Sequence, residues 1–300
     1  MKLVTFLHNE TYRLGVKREQ GVVDVLAALS AVMEEKAIPT TIHEVIHGGA
    51  EALNDLHSFI DRVLSTDTDT TAYVLDEAAL TLGPCVTHPN KIICVGLNYR
   101  RHAEETNAPI PQYPILFNKF NNALAGHGEE ISLPNVSVKV DFEAELAIVI
   151  GKRAKSISKE HALSHVFGYC NANDLSARDL QLRTAQWLLG KTCDQFAPIG
   201  PYVVTVDEVG NPNDLAITTI VNGDVRQHSN TSDMIFHCDE IISYISQHMT
   251  LMPGDLILTG TPEGVVLGYP REKQVYLKDG DVVTIEIEKL GALTNRMVAE

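Results

Sequence analysis

Beyond Pro84 the chain consists of short apolar runs punctuated by glycine and proline. Residues 92–96, 146–151 and 255–260 are too short for ordinary helices and rich in Ile, Val and Leu, so each predicts a buried strand. Asn222-Gly223, set between Val221 and Asp224-Val225, predicts a hairpin, since both residues tolerate the positive φ angles of a two-residue type I′ turn. Residues 278–281 (Lys-Asp-Gly-Asp) predict a second turn. After it Val283, Ile285 and Ile287 alternate with Thr284, Glu286 and Glu288, the period of a half-buried strand. Helices are expected over 239–248 and from Ser176 through about Trp187. Before Pro84, residues 3–7 and 21–25 predict short strands, and apolar residues at 56, 59, 60, 63 and 64 predict a helix over 55–64. A polar stretch, 65–71, then interrupts the periodicity. The pattern divides the chain into a small N-terminal α/β unit, 1–85, and a β-dominated catalytic unit, 86–300. The class is α+β, because strands and helices do not alternate regularly as a doubly wound sheet requires.

Composition narrows the function. With 300 residues, 44% of them apolar, the chain can bury a sizeable core. Its formal charge of −15 (24 Lys and Arg against 39 Asp and Glu) excludes a nucleic-acid partner, which needs clustered Lys and Arg to neutralise phosphates. An anionic substrate must therefore meet locally positive groups or a metal. The five cysteines, Cys85, Cys94, Cys170, Cys193 and Cys238, are scattered and contain no Cys-x-x-Cys pair, which predicts neither a disulfide framework nor a zinc knuckle. No apolar signal region and no run of ~20 apolar residues is visible. A cytoplasmic protein without membrane contact is expected.

Three segments carry candidate chemistry. Asp141, Glu143 and Glu145 precede an apolar run at i, i+2 and i+4, which strand period places on one face. Carboxylates held so close repel one another unless a cation, protons or solvent relieve them, and hard oxygen ligands favour Mg²⁺, Mn²⁺ or Ca²⁺ over zinc. A solvated acidic edge strand is the alternative. Asp174 follows the short apolar strand that begins at Phe167 and precedes a helix, an address for a ligand, although a helix N-cap is the commoner meaning of an aspartate there. His102 and Glu105 share a face if their segment is helical, and a histidine with its carboxylate is a proton-transfer unit; a surface pair is the bland reading. Pro109, Pro111 and Pro114 follow, so the pair is expected on a loop-bounded lid. Lys119 and Lys191 are candidate carboxylate binders. Thr259-Gly260-Thr261-Pro262-Glu263-Gly264 could wrap an anion with backbone N–H groups and the Thr261 hydroxyl. Nucleotide-binding glycine motifs, a Gly-x-Ser-x-Gly elbow and a His-Glu-x-x-His pair are all missing.

In order along the chain, 93–99 (Ile-Cys-Val-Gly-Leu-Asn-Tyr), the His102/Glu105 pair, 141–146 (Asp-Phe-Glu-Ala-Glu-Leu), Asn173-Asp174 with Ala177-Arg178-Asp179, Gly190-Lys191 and 259–265 resemble the fumarylacetoacetate hydrolase family. The resemblance covers roughly residue 89 to the C-terminus. It implies a β-sandwich-like roll as catalytic domain, a homodimer, and one Mg²⁺ or Mn²⁺ held by Glu143, Glu145 and Asp174, with Asp141 as a structural acid. It makes His102 and Glu105 the catalytic dyad, assisted by Lys191, and puts Arg178, Gln181 and Thr261 on the pocket wall. With Lys119 as a further substrate contact, the expected activity is metal-dependent cleavage of a carbon–carbon bond in a small 2-oxo acid. The arrangement looks closest to members associated with oxaloacetate decarboxylation, with acylpyruvate hydrolysis or isomerisation as alternatives on the same scaffold. A catalytically idle metal-binding protein is the reading from outside the class.

Overall fold

A computed structural model describes all residues except 33, 35 and 66–68, so part of the polar stretch 65–71 lies outside the described residues. The architecture grows from Ala144–Ile150, in which all seven residues are buried. Strand alternation sends Leu146, Ile148 and Ile150 into one apolar cluster and Ala147 and Val149 into another, on the opposite face. A strand covered on both faces has no polar side, which is why it reads as an unbroken apolar run. Its neighbours Val166–Asn173 and Leu256–Leu258 are equally buried.

Around it the main sheet runs in the order Val74–Leu75, Gly21–Asp24, Thr11–Arg18, Lys2–His8, Ala197–Thr205, Val166–Asn173, Ala144–Ile150, Leu256–Leu258, Ile92–Gly96, Ile115–Lys119, with Leu124–Ala125 beside Ala197–Thr205. The N-terminal strands thus continue the catalytic sheet, Lys2 and Leu3 pairing with Val204 and Val203. A second sheet orders Asp224–Asn230, Ala216–Val221, Val282–Ile287, Gly291–Ala299 and Glu130–Leu133. Its Ile217, Val283, Ile285, Leu293 and Met297 share a cluster with Leu146 and Ile148. The other face of the main sheet is covered by Ile42–Leu64 through Val45, Ile46, Leu56, Phe59, Ile60 and Val63. The layered, β-dominated α+β class expected from the pattern holds.

The turn at Asn222 (φ 53) and Gly223 (φ 89) has the positive angles its residues predict. The helix expected over 55–64 starts earlier, at Ile42. A capping box from Thr41 and Glu44 fixes that start, and a break at Gly49 (φ 60, ψ −139) obscures the periodicity. The strand expected over 21–25 stops at Asp24, whose carboxylate caps the following helix by accepting the N–H groups of Leu26 and Ala27.

The helix expected from Ser176 to about Trp187 does not form. Ser176–Ala177 pairs instead with Val140–Asp141, and only Arg178–Gln181 and Leu188–Lys191 are helical. The chain doubles back because Gly190 packs on the preceding turn. A Cβ there would lie 2.4 Å from the Gln181 nitrogen and 2.5 Å from the Ala177 oxygen, a contact that only glycine permits.

Candidate metal and proton-transfer site

The acidic segment is not one continuous strand face. Pairing breaks between Val140–Asp141 and Ala144–Ile150, and the carboxylates part company there. Asp141 turns to Arg178 Nε (2.9 Å) and accepts the N–H groups of Val266 and Leu267. Glu143 and Glu145 turn inward and meet Asp174, whose backbone N–H donates to the Glu143 carbonyl (2.9 Å). Asn173 Oδ1 receives the Glu143 N–H, so the two segments are clipped together. One carboxylate oxygen from each of Glu143, Glu145 and Asp174 lies within 4.8 Å of the others, and all three residues are buried. Asp174 caps no helix; its side chain faces lysines.

Four buried carboxylates here face three buried cations. Lys191 Nζ bonds Glu143 Oε2 (2.7 Å) and Asp174 Oδ2 (2.8 Å), and Arg178 Nη1 pairs with Glu143 Oε1 (2.7 Å). Burial pushes the Glu143 carboxyl up, but the Lys191 and Arg178 charges outweigh it and hold the group at about 2. Glu145 has the Gly260 N–H (2.7 Å) and no ion-pair partner among the described residues. Burial, then the Asp174 and Glu143 charges, drive its carboxyl well above the usual range. A buried all-oxygen donor set with one uncompensated carboxylate fits a divalent cation, which supplies the missing positive charge.

Lys119, expected to contact substrate, does not reach the cavity. Its ammonium is enclosed by the carbonyls of Leu175 (3.0 Å), Phe196 (2.7 Å) and Lys191, and touches Asp174 Oδ1 (2.6 Å) from behind. The other expected residues converge. His102, Glu143, Glu145, Arg178, Gln181, Lys191 and Thr261 line one cavity of about 240 Å³. A larger groove of about 1050 Å³ beside Lys17, Glu77 and Tyr202 holds none of them, so the candidate site is the smaller cavity, where these carboxylates and cations meet His102. His102 sits on the helix Arg100–Glu105, its Nδ1 2.8 Å from Glu105 Oε1, so the i, i+3 spacing does bring the pair together. A carboxylate at Nδ1 fixes the proton there and leaves Nε2 for exchange.

Glu105 is itself held. Both its oxygens accept the Gly264 N–H, and a Cβ on Gly268 would lie 2.4 to 2.7 Å from its carboxylate group. Gly268→Ala is therefore expected to displace Glu105 and lower kcat roughly ten- to a hundredfold with little change in melting temperature. Kinetics beside a thermal melt check this; an unchanged kcat would show that the orientation of Glu105 does not matter.

Two supports went unread in the sequence. Gln227 Nε2 donates to Thr261 Oγ1 (2.9 Å) while its Oε1 accepts the Ala144 N–H (3.0 Å), tying the Thr261 loop to the carboxylate strand. Asn98 Nδ2 donates to the carbonyls of Thr259 (2.7 Å) and Phe236 (3.0 Å), and its Oδ1 accepts the Phe236 N–H (2.8 Å), which ties the start of that loop to residue 236. Asn98 stands within a matching string, but Gln227 carries no local signal: it is a polar residue on a hairpin strand.

Fold and site together define a sheet-built pocket with a buried acidic centre beside a histidine–carboxylate pair, the arrangement of an enzyme. Residues 91–298 match the family described as fumarylacetoacetate (FAA) hydrolase C-terminal, and the chain belongs to the fumarylacetoacetate hydrolase family. A relative from Bos taurus named as a mitochondrial oxaloacetate tautomerase is 44% identical over 99% of this chain and 92% of its own. The solved fumarylacetoacetate hydrolase from psychrophilic Exiguobacterium antarcticum superposes with a TM-score of 0.82 at 34% identity, covering 100% of both chains. Maleylpyruvate hydrolase from Sphingobium sp. SYK-6, solved with manganese(II) and pyruvate, superposes with a TM-score of 0.78 at 31% identity, covering 100% of this chain and 99% of that one. The family and the enzyme class anticipated from the motifs stand. No helix among the described residues is long and apolar enough to cross a membrane.

Proposed function

We propose that the protein acts on a small 2-oxo diacid of the oxaloacetate type through its enolate, with keto–enol tautomerisation as the principal reaction. The observation that carries this reading is a single small cavity in which His102, backed by Glu105, meets Glu143, Glu145, Lys191 and Arg178. The tautomerase name of the Bos taurus relative, aligned along nearly the whole chain, supports it.

In this reading Glu143, Glu145 and Asp174 hold one Mg²⁺ or Mn²⁺, which when bound polarises the 2-keto oxygen. His102 Nε2 takes the proton from carbon 3 of the keto form, and Glu105 stabilises the imidazolium. The electron pair of the broken C–H bond becomes the carbon 2–carbon 3 double bond while the carbonyl π pair moves to the 2-oxygen, whose growing charge Lys191 offsets. Returning the proton to that oxygen completes the enol, with no net change in charge. Arg178 Nη2, a buried donor without a partner among the described residues, is available with Gln181 and Thr261 for the substrate's carboxylates. Lys119 serves by holding Asp174.

A second reading, cleavage of a carbon–carbon bond by decarboxylation or acylpyruvate hydrolysis, is favoured by the maleylpyruvate hydrolase likeness. It uses the same charge development and differs in the bond that breaks. A homodimer is part of the proposal, supported by the exposed Ile110, Tyr113, Phe120 and Leu189. So is a reducing compartment, which five unpaired cysteines suit; the cytoplasm is our reading, although vertebrate relatives are named mitochondrial.

The test restores Mg²⁺ or Mn²⁺ to metal-free protein and follows both loss of the enol absorbance of oxaloacetate and release of pyruvate, with the metal's own background subtracted. Tautomerisation at least tenfold above background without extra pyruvate is the expected result. Pyruvate release above background would move the assignment to decarboxylation, and no acceleration of either on oxaloacetate, with an acylpyruvate also left uncleaved, would overturn both readings.

A further inference from the structure

Trp187 is the only tryptophan in the chain and stands four residues before Lys191, at the start of Leu188–Lys191. Its ring meets Phe117 edge-on at 5.4 Å, while Lys191 Nζ lies 4.9 Å from the centre of that same Phe117 ring. On Gly96 the indole is seated so closely that a Cβ would come within 2.5 Å of Cζ3 and 2.9 Å of Cη2. Gly96 has no positive φ, so the missing side chain there answers to the indole and not to the backbone. Gly96, Phe117 and Trp187 all line the 240 Å³ cavity, and the proposed chemistry gives none of them a task.

The cavity is sided. Lys191, Arg178, Gln181 and the carboxylates supply its polar groups, whereas Val95, Ile115, Phe117 and Trp187 supply apolar wall. An apolar wall cannot recognise a side group by hydrogen bonding; it selects by the space it leaves, and each methylene it accepts or refuses is worth roughly 10- to 200-fold. The indole is the largest side chain on that wall.

We infer that Trp187, seated on Gly96 and propped by Phe117, sets the length limit of the substrate and confines the enzyme to short 2-oxo diacids of the four-carbon class. This rests on the function proposed above. Removing the ring opens room for a longer group beyond carbon 3. Adding a methyl at Gly96 unseats the ring and narrows the same space.

The two substitutions push selectivity in opposite directions, which makes them the test. Binding of oxalate, 2-oxoglutarate and 2-oxoadipate is measured by calorimetry with Mn²⁺ present, for the wild type, Trp187→Leu, Trp187→Phe and Gly96→Ala. Trp187→Leu is expected to improve 2-oxoadipate affinity relative to oxalate at least tenfold, Trp187→Phe by less, and Gly96→Ala to shift the ratio the other way. The milder Trp187→Phe, which keeps an aromatic ring on the wall, decides the matter if the leucine variant is unstable. A ratio within twofold of wild type in the folded Trp187 variants overturns this inference alone. A wild type that binds no oxalate with Mn²⁺ present overturns the 2-oxo-acid reading, and this inference with it.

Discussion

Glu145→Gln is expected to abolish the rise in melting temperature that Mn²⁺ gives the wild type, and to lower kcat/KM at least ~100-fold, the loss of several kcal/mol of charge stabilisation. The metal-free melting temperature should stay level or rise. Glu145 is the carboxylate without a cation, crowded by Asp174 and Glu143 and held by the Gly260 N–H. A glutamine oxygen can accept that N–H, so the substitution removes the charge and keeps the contact. Glu143→Ala behaves differently. It strips a partner from both Arg178 and Lys191, leaving buried cations under-compensated, and breaking such pairs costs about 3–5 kcal/mol. Paired melts with and without Mn²⁺ separate the two effects. Full Mn²⁺ stabilisation in the glutamine variant would sink the assignment of Glu145 as a ligand.

His102→Ala is expected to give the opposite pattern: Mn²⁺ stabilisation is retained and kcat falls by roughly 10²- to 10⁴-fold, the range for loss of a positioned acid–base group. The reason is geometric. His102 shares the cavity with the carboxylates, but its bonding partner is Glu105, and Glu105 is anchored to the loop at Gly264. The dyad is therefore a separate assembly from the carboxylates proposed to hold the metal, and the two should fail separately. Glu105→Gln should fall between wild type and His102→Ala, because an amide can still bond Nδ1 but does not stabilise the imidazolium. A His102→Ala enzyme with wild-type kcat would remove the dyad from the reaction.

Local sequence determined much of this protein. Apolar runs of strand length give buried strands wherever both sheet faces are covered, and Ala144–Ile150 is such a case. Asn222-Gly223 dictates its turn because backbone sterics act over two residues. Helical spacing alone suffices to join His102 to Glu105, and the ordered strings suffice for the family. What depends on distant partners was decided only by the tertiary structure. The run 176–187 has helical composition, yet pairing with Val140–Asp141 and the close packing at Gly190 use its backbone otherwise. Asp141 sits at the spacing of a third ligand, and a break in strand pairing turns it to Arg178 instead. Lys119 reads as a surface or substrate lysine until three carbonyls from Leu175, Lys191 and Phe196 enclose it. The uncompensated charge of Glu145 is likewise invisible along the chain. Charge compensation depends on distances of a few ångströms between side chains on separate elements, and only the folded sheet brings residues 119, 143, 145, 174, 178 and 191 to those distances.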